Sequence, residues 1–115
     1  MRDGAHTPEA VDWLLERLPE PGDYVVVASL LADKDLGGIL DRLARAGRAL
    51  VATRSSNDRA LPAETVAEAA AARFDRVEVE PDPRRALDRA RGLGPRVLVT
   101  GSLYLLADLY DVPVQ

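Results

Sequence analysis

A chain of 115 residues with 47% hydrophobic and 30% charged side chains has the size and composition of one globular domain. Its formal net charge of −4 argues against a nucleic-acid-binding protein, whose affinity would depend on a basic surface. The absence of cysteine excludes disulfides and thiolate metal sites, and the single histidine argues against a histidine-based metal centre.

The sequence contains no recognisable signal for export or membrane insertion. No apolar run approaches the ~20 residues of a membrane-spanning helix. Residues 1–6 lack the apolar core of a signal peptide. We therefore expect a cytoplasmic protein whose partners include neither a membrane nor a nucleic acid.

From the N-terminus onwards, segments with helical and strand patterns alternate. Thr7 and Pro8 start the first predicted helix, and the apolar run at 24–31 predicts a strand buried on both faces. A helix with apolar residues at i, i+3, i+4 and i+7 follows Asp35. The remaining predicted elements are a strand at 49–53, a helix at about 62–73, a less buried strand at 76–79, a helix from Asp82, a strand from Val97 and a helix from Ser102.

This alternation predicts an α/β fold, with residues 1–115 as one domain. The expected architecture is an open, mainly parallel, Rossmann-like sheet with helices on both faces. The loops that leave the predicted strands at 33–35, 54–59 and 100–102 hold the distinctive polar residues. Because ligands of open α/β sheets bind outside the carboxyl ends of the strands, these loops form the predicted ligand edge.

Small polar residues mark the point where the last strand changes into a helix, at Thr100, Gly101 and Ser102. The free N–H groups of a first helical turn favour a phosphate or carboxylate, and Gly101 lets a ligand approach the backbone. The alternative is that Ser102 or Thr100 only caps the helix.

Two cations stand on the same predicted edge. Lys34 is the only lysine among 15 basic residues, and it could present an ammonium group to a phosphate or carboxylate. Arg59 could clamp an acid with two hydrogen bonds. The alternatives are a solvated turn in which Asp35 caps the next helix, and an ordinary surface arginine.

Asp3 and His6 precede the first predicted helix. This carboxylate and imidazole could hold a ribose hydroxyl, a phosphate or a metal-bound water, and the alternative is a flexible N-terminus. The chain has no G-x-x-x-x-G-K-[ST] or G-x-G-x-x-G loop and no nucleophile elbow. We therefore expect that it does not hold a nucleotide triphosphate by itself.

Four stretches together resemble the C-terminal domain of folylpolyglutamate synthase/dihydrofolate synthase, in the Mur ligase family. They begin at Asp3, Ala32, Arg59 and Val99, and they spread over essentially the whole chain in the family's order. The resemblance implies ATP-dependent amide formation between a folate-type carboxylate and L-glutamate, through an acyl phosphate. Folate or dihydropteroate would be the acceptor, ATP and Mg²⁺ the cofactors, and no metal site would lie in this chain.

The resemblance also implies roles for single residues. Asp3 and His6 would reach the nucleotide, and Lys34 and Ser102 would lie near the incoming glutamate and the transferred phosphate. The candidate catalytic residues are His6, Ser102 and Lys34, and the candidate substrate-binding residues are Lys34, Arg59, Gly101 and Ser102. The family usually has Asn where this chain has Thr7, so a hydroxyl would replace that contact.

The resemblance further implies that an N-terminal P-loop ATPase domain, in cis or in trans, holds most of the ATP and the Mg²⁺. We expect a fragment or a separately expressed domain that is inactive alone. Two other hypotheses stay open at this point. One is the C-terminal domain of another Mur-type ligase, such as a cell-wall ligase or a peptide-polymer synthetase. The other is a free-standing, non-catalytic α/β ligand-binding module.

Overall fold

The computed structural model describes residues 7–19, 22–32 and 34–100. Strands and helices alternate through these ranges, as the sequence predicts. The elements are α1 (Pro8–Leu15), β1 (Val25–Ala28), α2 (Leu36–Leu43), β2 (Ala49–Ala52), α3 (Ala63–Ala70), β3 (Arg76–Val79), α4 (Pro83–Leu93) and β4 (Val97–Thr100). The helix predicted from Ser102 lies outside the described residues.

The four strands form one parallel sheet in the order β3-β2-β1-β4. The register pairs Ala28 with both Ala52 and Thr100, and it pairs Ala52 with Val79. All four strands therefore end together at one edge of the sheet, which is the edge that the sequence assigns to a ligand. The predicted fold class is confirmed.

Alternating side chains of the strands divide the core between the two faces of the sheet. Val26, Leu50 and Leu98 pack on one face with α1, α2 and α3. Val27 and Val51 pack on the other face against α4. Because both faces are covered, the central strands carry almost no polar side chains, and this explains the continuous apolar runs of the sequence.

Side chains of the loops cap three of the helices. Thr7 Oγ1 accepts a hydrogen bond from the N–H of Ala10 (3.1 Å), and Asp35 Oδ1 accepts one from Gly38 (3.0 Å). Asp82 caps α4 in the same way. These contacts satisfy first-turn N–H groups and fix where each helix begins.

The predicted first strand, at 24–31, is longer than the strand β1 that the structure contains. Its ladder ends at Ala28, although Ser29, Leu30 and Leu31 remain buried. Beyond Ala28 the backbone pairs with a different partner, because Leu31 forms an isolated antiparallel bridge with Ala60. The prediction of a strand over 24–31 therefore identified the buried segment correctly but placed its end too late.

An ion-pair cluster joins α1 to α2. Asp12 Oδ2 lies 2.9 Å from Arg42 Nε, and Asp12 Oδ1 lies 3.7 Å from a guanidinium nitrogen of Arg45. The hydrogen bond with Asp12 raises the pKa of Arg42 above its ordinary value. Such exposed pairs stabilise a fold only slightly, so this cluster orients the two helices more than it holds them together.

Candidate functional site

The loops after β1 and β2 are bonded to each other at the carboxyl edge of the sheet. The N–H of Ala32 donates to the carbonyl of Arg59 (2.8 Å), and the N–H of Leu61 donates to the carbonyl of Leu30 (2.9 Å). Together with the bridge between Leu31 and Ala60, these bonds form a short antiparallel connection. The segments that carry Lys34 and Arg59 are thereby brought side by side.

A hydrogen bond between two buried serines also joins the two loops, close to the ends of their strands. The N–H of Ser55 donates to Ser29 Oγ at 2.8 Å, and both residues are buried. Ser55 Oγ in turn accepts from the N–H of Asn57 (3.4 Å), and Asn57 Oδ1 accepts from the N–H of Arg59 (2.8 Å). These successive hydrogen bonds from short polar side chains therefore fix the backbone of the loop that carries Arg59.

Sequence reasoning did not single out Ser29 or its bond to Ser55. The sequence offered one signal, since Ser29 is the only polar residue within the apolar run at 25–31. The partner 26 residues away could not be identified from local patterns.

Lys34 is half-buried at the start of the turn into α2, and its N–H donates to the carbonyl of Leu31 (3.2 Å). Among residues 7–19, 22–32 and 34–100, no carboxylate lies within ion-pair distance of its ammonium group. The carboxylate of Asp35 points instead at α2, where it caps the helix. The capping role that the sequence left open for Asp35 is confirmed, and the role of Lys34 in binding a ligand stays a prediction.

Thr100 ends β4 at the same edge and is completely buried. Its hydroxyl has no hydrogen-bond partner within the described part of the chain. The residues that follow, Gly101 and Ser102, lie outside the described residues, and so do Asp3 and His6. The roles of these four residues stay predictions.

Surface grooves lie at several places on the molecule, and two of them open at the carboxyl edge and beside α1. A groove of about 360 Å³ opens at the carboxyl edge, between the end of β2 and the start of α4. A groove of about 570 Å³ lies beside α1, where Asp12 and Arg45 already neutralise each other. Only the first groove belongs to the edge where α/β sheets bind ligands.

The described residues include no group of three His, Cys, Asp or Glu side chains that could hold a metal ion. Of the helices in the described ranges, none is both long and apolar enough to cross a membrane.

Comparison with known protein families identifies the family of this chain. The model of the family described as "Mur ligase, glutamate ligase domain" matches residues 1–103. The chain therefore belongs to the Mur ligase family, as a glutamate ligase domain.

Within that family, the chain is similar to folate-linked enzymes. It is 38% identical over 96 residues to the dihydrofolate synthase/folylpolyglutamate synthase of Mycobacterium tuberculosis. This alignment covers 79% of the present chain and 20% of the M. tuberculosis protein. The structure of the M. tuberculosis folylpolyglutamate synthase complexed with ADP and AMPPCP matches 98% of this chain with a TM-score of 0.85 and 33% identity. The E. coli FolC structure with DHPP and ADP matches 91% with a TM-score of 0.80 and 28% identity.

The matched region is a minor part of each relative. It covers 30% of the M. tuberculosis chain and 26% of the E. coli chain in these two structures. The similarity thus identifies the domain, and it leaves most of each relative without a counterpart in this alignment.

Proposed function

We propose that this chain is the glutamate-ligase domain of an ATP-dependent folate ligase. In this proposal it takes part in joining L-glutamate to dihydropteroate or a folate, in the cytoplasm, with residues 1–115 acting as one domain. The observation that carries the proposal is the bonded pair of loops that presents Lys34 and Arg59 at the carboxyl edge, in a chain of this family.

The proposed roles follow from where negative charge is present or develops during amide formation. Glutamate carries carboxylates, which Arg59 and Lys34 would hold through charge-assisted hydrogen bonds. Attack of the amine on an activated carboxylate builds negative charge on oxygen, and fixed donors such as Gly101 N–H and Ser102 would stabilise that charge. Asp3 and His6 would contact the nucleotide.

The described residues of this chain supply no phosphate loop and no set of metal ligands for ATP and Mg²⁺. We therefore assign most of the ATP and the Mg²⁺ to a separate N-terminal P-loop ATPase domain, in cis or in trans. When bound there, ATP supplies the phosphoryl group that activates the acceptor carboxylate.

Turnover measurements on variants test this proposal when the chain is joined to the ATPase domain of a similar folylpolyglutamate synthase. We expect Ser102→Ala and His6→Ala each to lower kcat at least tenfold, measured as glutamate-dependent ADP release. We expect Lys34→Arg to raise the KM for glutamate, because a guanidinium cannot replace a compact ammonium at a point-charge site.

Arg48→Gln is the matched control, since Arg48 lies at the amino end of β2, where the sheet has no proposed ligand site. It should leave kcat and KM unchanged. Wild-type kcat in both the Ser102 and His6 variants would overturn the catalytic assignment. An unchanged KM in Lys34→Arg would remove Lys34 from the glutamate site.

A further inference from the structure

An arginine of the loop after β2 and an arginine of the first turn of α4 both line the groove on the carboxyl edge. The groove has a volume of about 360 Å³, the size of a site for a small ligand. It is lined by Arg54, Ser55, Ser56, Asp82, Pro83 and Arg84. Arg54 follows β2 and Arg84 belongs to the first turn of α4, so the tertiary structure is what brings these two cations to one place.

One acid, Asp82, lines the groove and a second, Glu80, lies beside it; both carboxylates accept hydrogen bonds from backbone N–H groups. Asp82 Oδ1 accepts from the N–H of Arg84 (2.9 Å) and of Arg85 (3.3 Å). Glu80 Oε2 accepts from the N–H of Asp82 (3.1 Å), and Glu80 Oε1 lies 3.9 Å from Arg89. Because Asp82 occupies these first-turn N–H groups, the attraction of the groove for an anion depends on the arginine side chains and not on the helix end.

Arg54 and Arg84 are exposed, and neither has a carboxylate within ion-pair distance among the residues that the structure describes. Arg48 and Arg85 share this property, but neither of them lines this groove. Most other arginines of the described residues do have a carboxylate partner, namely Arg17, Arg42, Arg45, Arg73, Arg76, Arg89, Arg91 and Arg96.

The helix dipole of α4 is compensated within the domain. Arg84 and Arg85 lie in the first turn, at the positive end of the helix dipole. The carboxylate of the N-cap residue Asp82 lies at the same end and accepts from the N–H groups of both residues. An anion site here therefore depends on the groove and on the two guanidinium groups that line it.

We propose that Arg54 and Arg84 form a binding site for an oxyanion, either a carboxylate or a phosphate group. Each guanidinium can donate two parallel N–H groups to such an anion. Because neighbouring strands are about 4.8 Å apart, the end of β1 lies about 5 Å and the end of β4 roughly 10 Å along the edge from the end of β2. The groove therefore adjoins the site proposed for Lys34, Arg59 and Ser102, and its two arginines are not among the residues of that site.

Two sources can supply this oxyanion: a glutamyl chain that carries carboxylates, or free inorganic phosphate. The glutamyl source rests on the proposed function, whereas the binding of an oxyanion by the two arginines does not.

An NMR titration of the ¹⁵N-labelled 115-residue chain tests the site. Tri-γ-L-glutamate and inorganic phosphate are added separately, at constant ionic strength. We expect saturable shifts of the backbone amide signals of Ser55, Ser56 and Arg84 with at least one of the two probes. The double variant Arg54→Gln/Arg84→Gln should lower the affinity for that probe at least tenfold and retain the dispersed spectrum of a folded domain.

Arg48→Gln again provides the control, because it removes the same charge from a groove at the opposite end of the sheet that Arg48 shares with Asp23. It should leave the affinity unchanged. Tighter binding of triglutamate would identify the glutamyl source, and tighter binding of phosphate would identify the other. The proposal is overturned if neither probe gives saturable shifts, or if Arg48→Gln weakens binding as much as the double variant. If the Lys34→Arg and Ser102→Ala variants had wild-type turnover, the proposed function would be refuted, but the binding of an oxyanion seen in the NMR titration would stand.

Discussion

At the scale of single residues, two buried threonines at strand ends differ in one respect. Thr53 Oγ1 donates to the carbonyl of Pro81 at 3.1 Å, whereas the hydroxyl of Thr100 has no partner in the part of the chain that the structure describes. Both residues are completely buried. A buried hydroxyl without a hydrogen bond has lost its contacts with water and gained nothing in return.

We expect Thr100→Val to raise the free energy of unfolding by about 1 kcal/mol, because it removes an unsatisfied polar group with little change of volume. Thr53→Val is the matched control and should lower it by about 1 kcal/mol, because it removes the hydrogen bond of the hydroxyl and leaves the Pro81 carbonyl with only the N–H of Arg54 as a donor (3.3 Å). Urea denaturation of the three proteins measures both effects. If Thr100→Val destabilises the domain as much as Thr53→Val does, then the Thr100 hydroxyl has a partner in solution.

At the scale of the elements, Gly47 is the position where α2 returns to the sheet. A Cβ added there would lie 1.6 Å from the carbonyl oxygen of Tyr24. The backbone is this close because the carbonyl of Ala46 accepts from the N–H groups of both Gly22 and Tyr24. Two connections that enter neighbouring strands are thus bonded together, and no side chain fits between them.

We expect Gly47→Ala to lower the free energy of unfolding by roughly 2 kcal/mol or more, because a backbone atom must move to admit the methyl group. Gly92→Ala should instead raise it by up to about 1 kcal/mol, since a Cβ there meets nothing within 4 Å and alanine is the better helix former. Thermal unfolding of both variants tests this difference in sign. An equal effect of the two substitutions would contradict the close contact at Gly47.

At the scale of the whole molecule, four basic side chains lie along the carboxyl edge of the sheet. Lys34 and Arg59 are on loops that are bonded to each other, and Arg54 and Arg84 line a groove further along. None of these residues belongs to a phosphate loop. The proposed function assigns an acidic amino acid to this edge and the triphosphate of ATP to another domain.

We therefore expect the 115-residue chain to release no ADP from ATP above background when glutamate and dihydropteroate are supplied. The reason is that the sequence lacks a G-x-x-x-x-G-K-[ST] loop to hold the triphosphate. A coupled assay for ADP makes the measurement, and the chain joined to an ATPase domain is the positive control. Turnover by the chain alone would refute the assignment of ATP binding to a separate domain.

The sequence by itself determined the order and type of the elements, and it determined which edge of the sheet is polar. These properties depend on local patterns, namely apolar periodicities of two and 3.6 residues and capping residues such as Asp35 and Asp82. The boundaries were less accurate, as the end of β1 shows, because burial continues past Ala28 while the hydrogen-bonding partner changes.

Only the tertiary structure decided the strand order β3-β2-β1-β4, the bond between Ser29 and Ser55, and the meeting of Arg54 with Arg84. Each of these brings together residues that are far apart in the sequence, from Ser29 and Ser55 to Val25 and Val97 of the paired strands β1 and β4. Such contacts follow from how the helices pack on the two faces of the sheet, and no local periodicity encodes that packing.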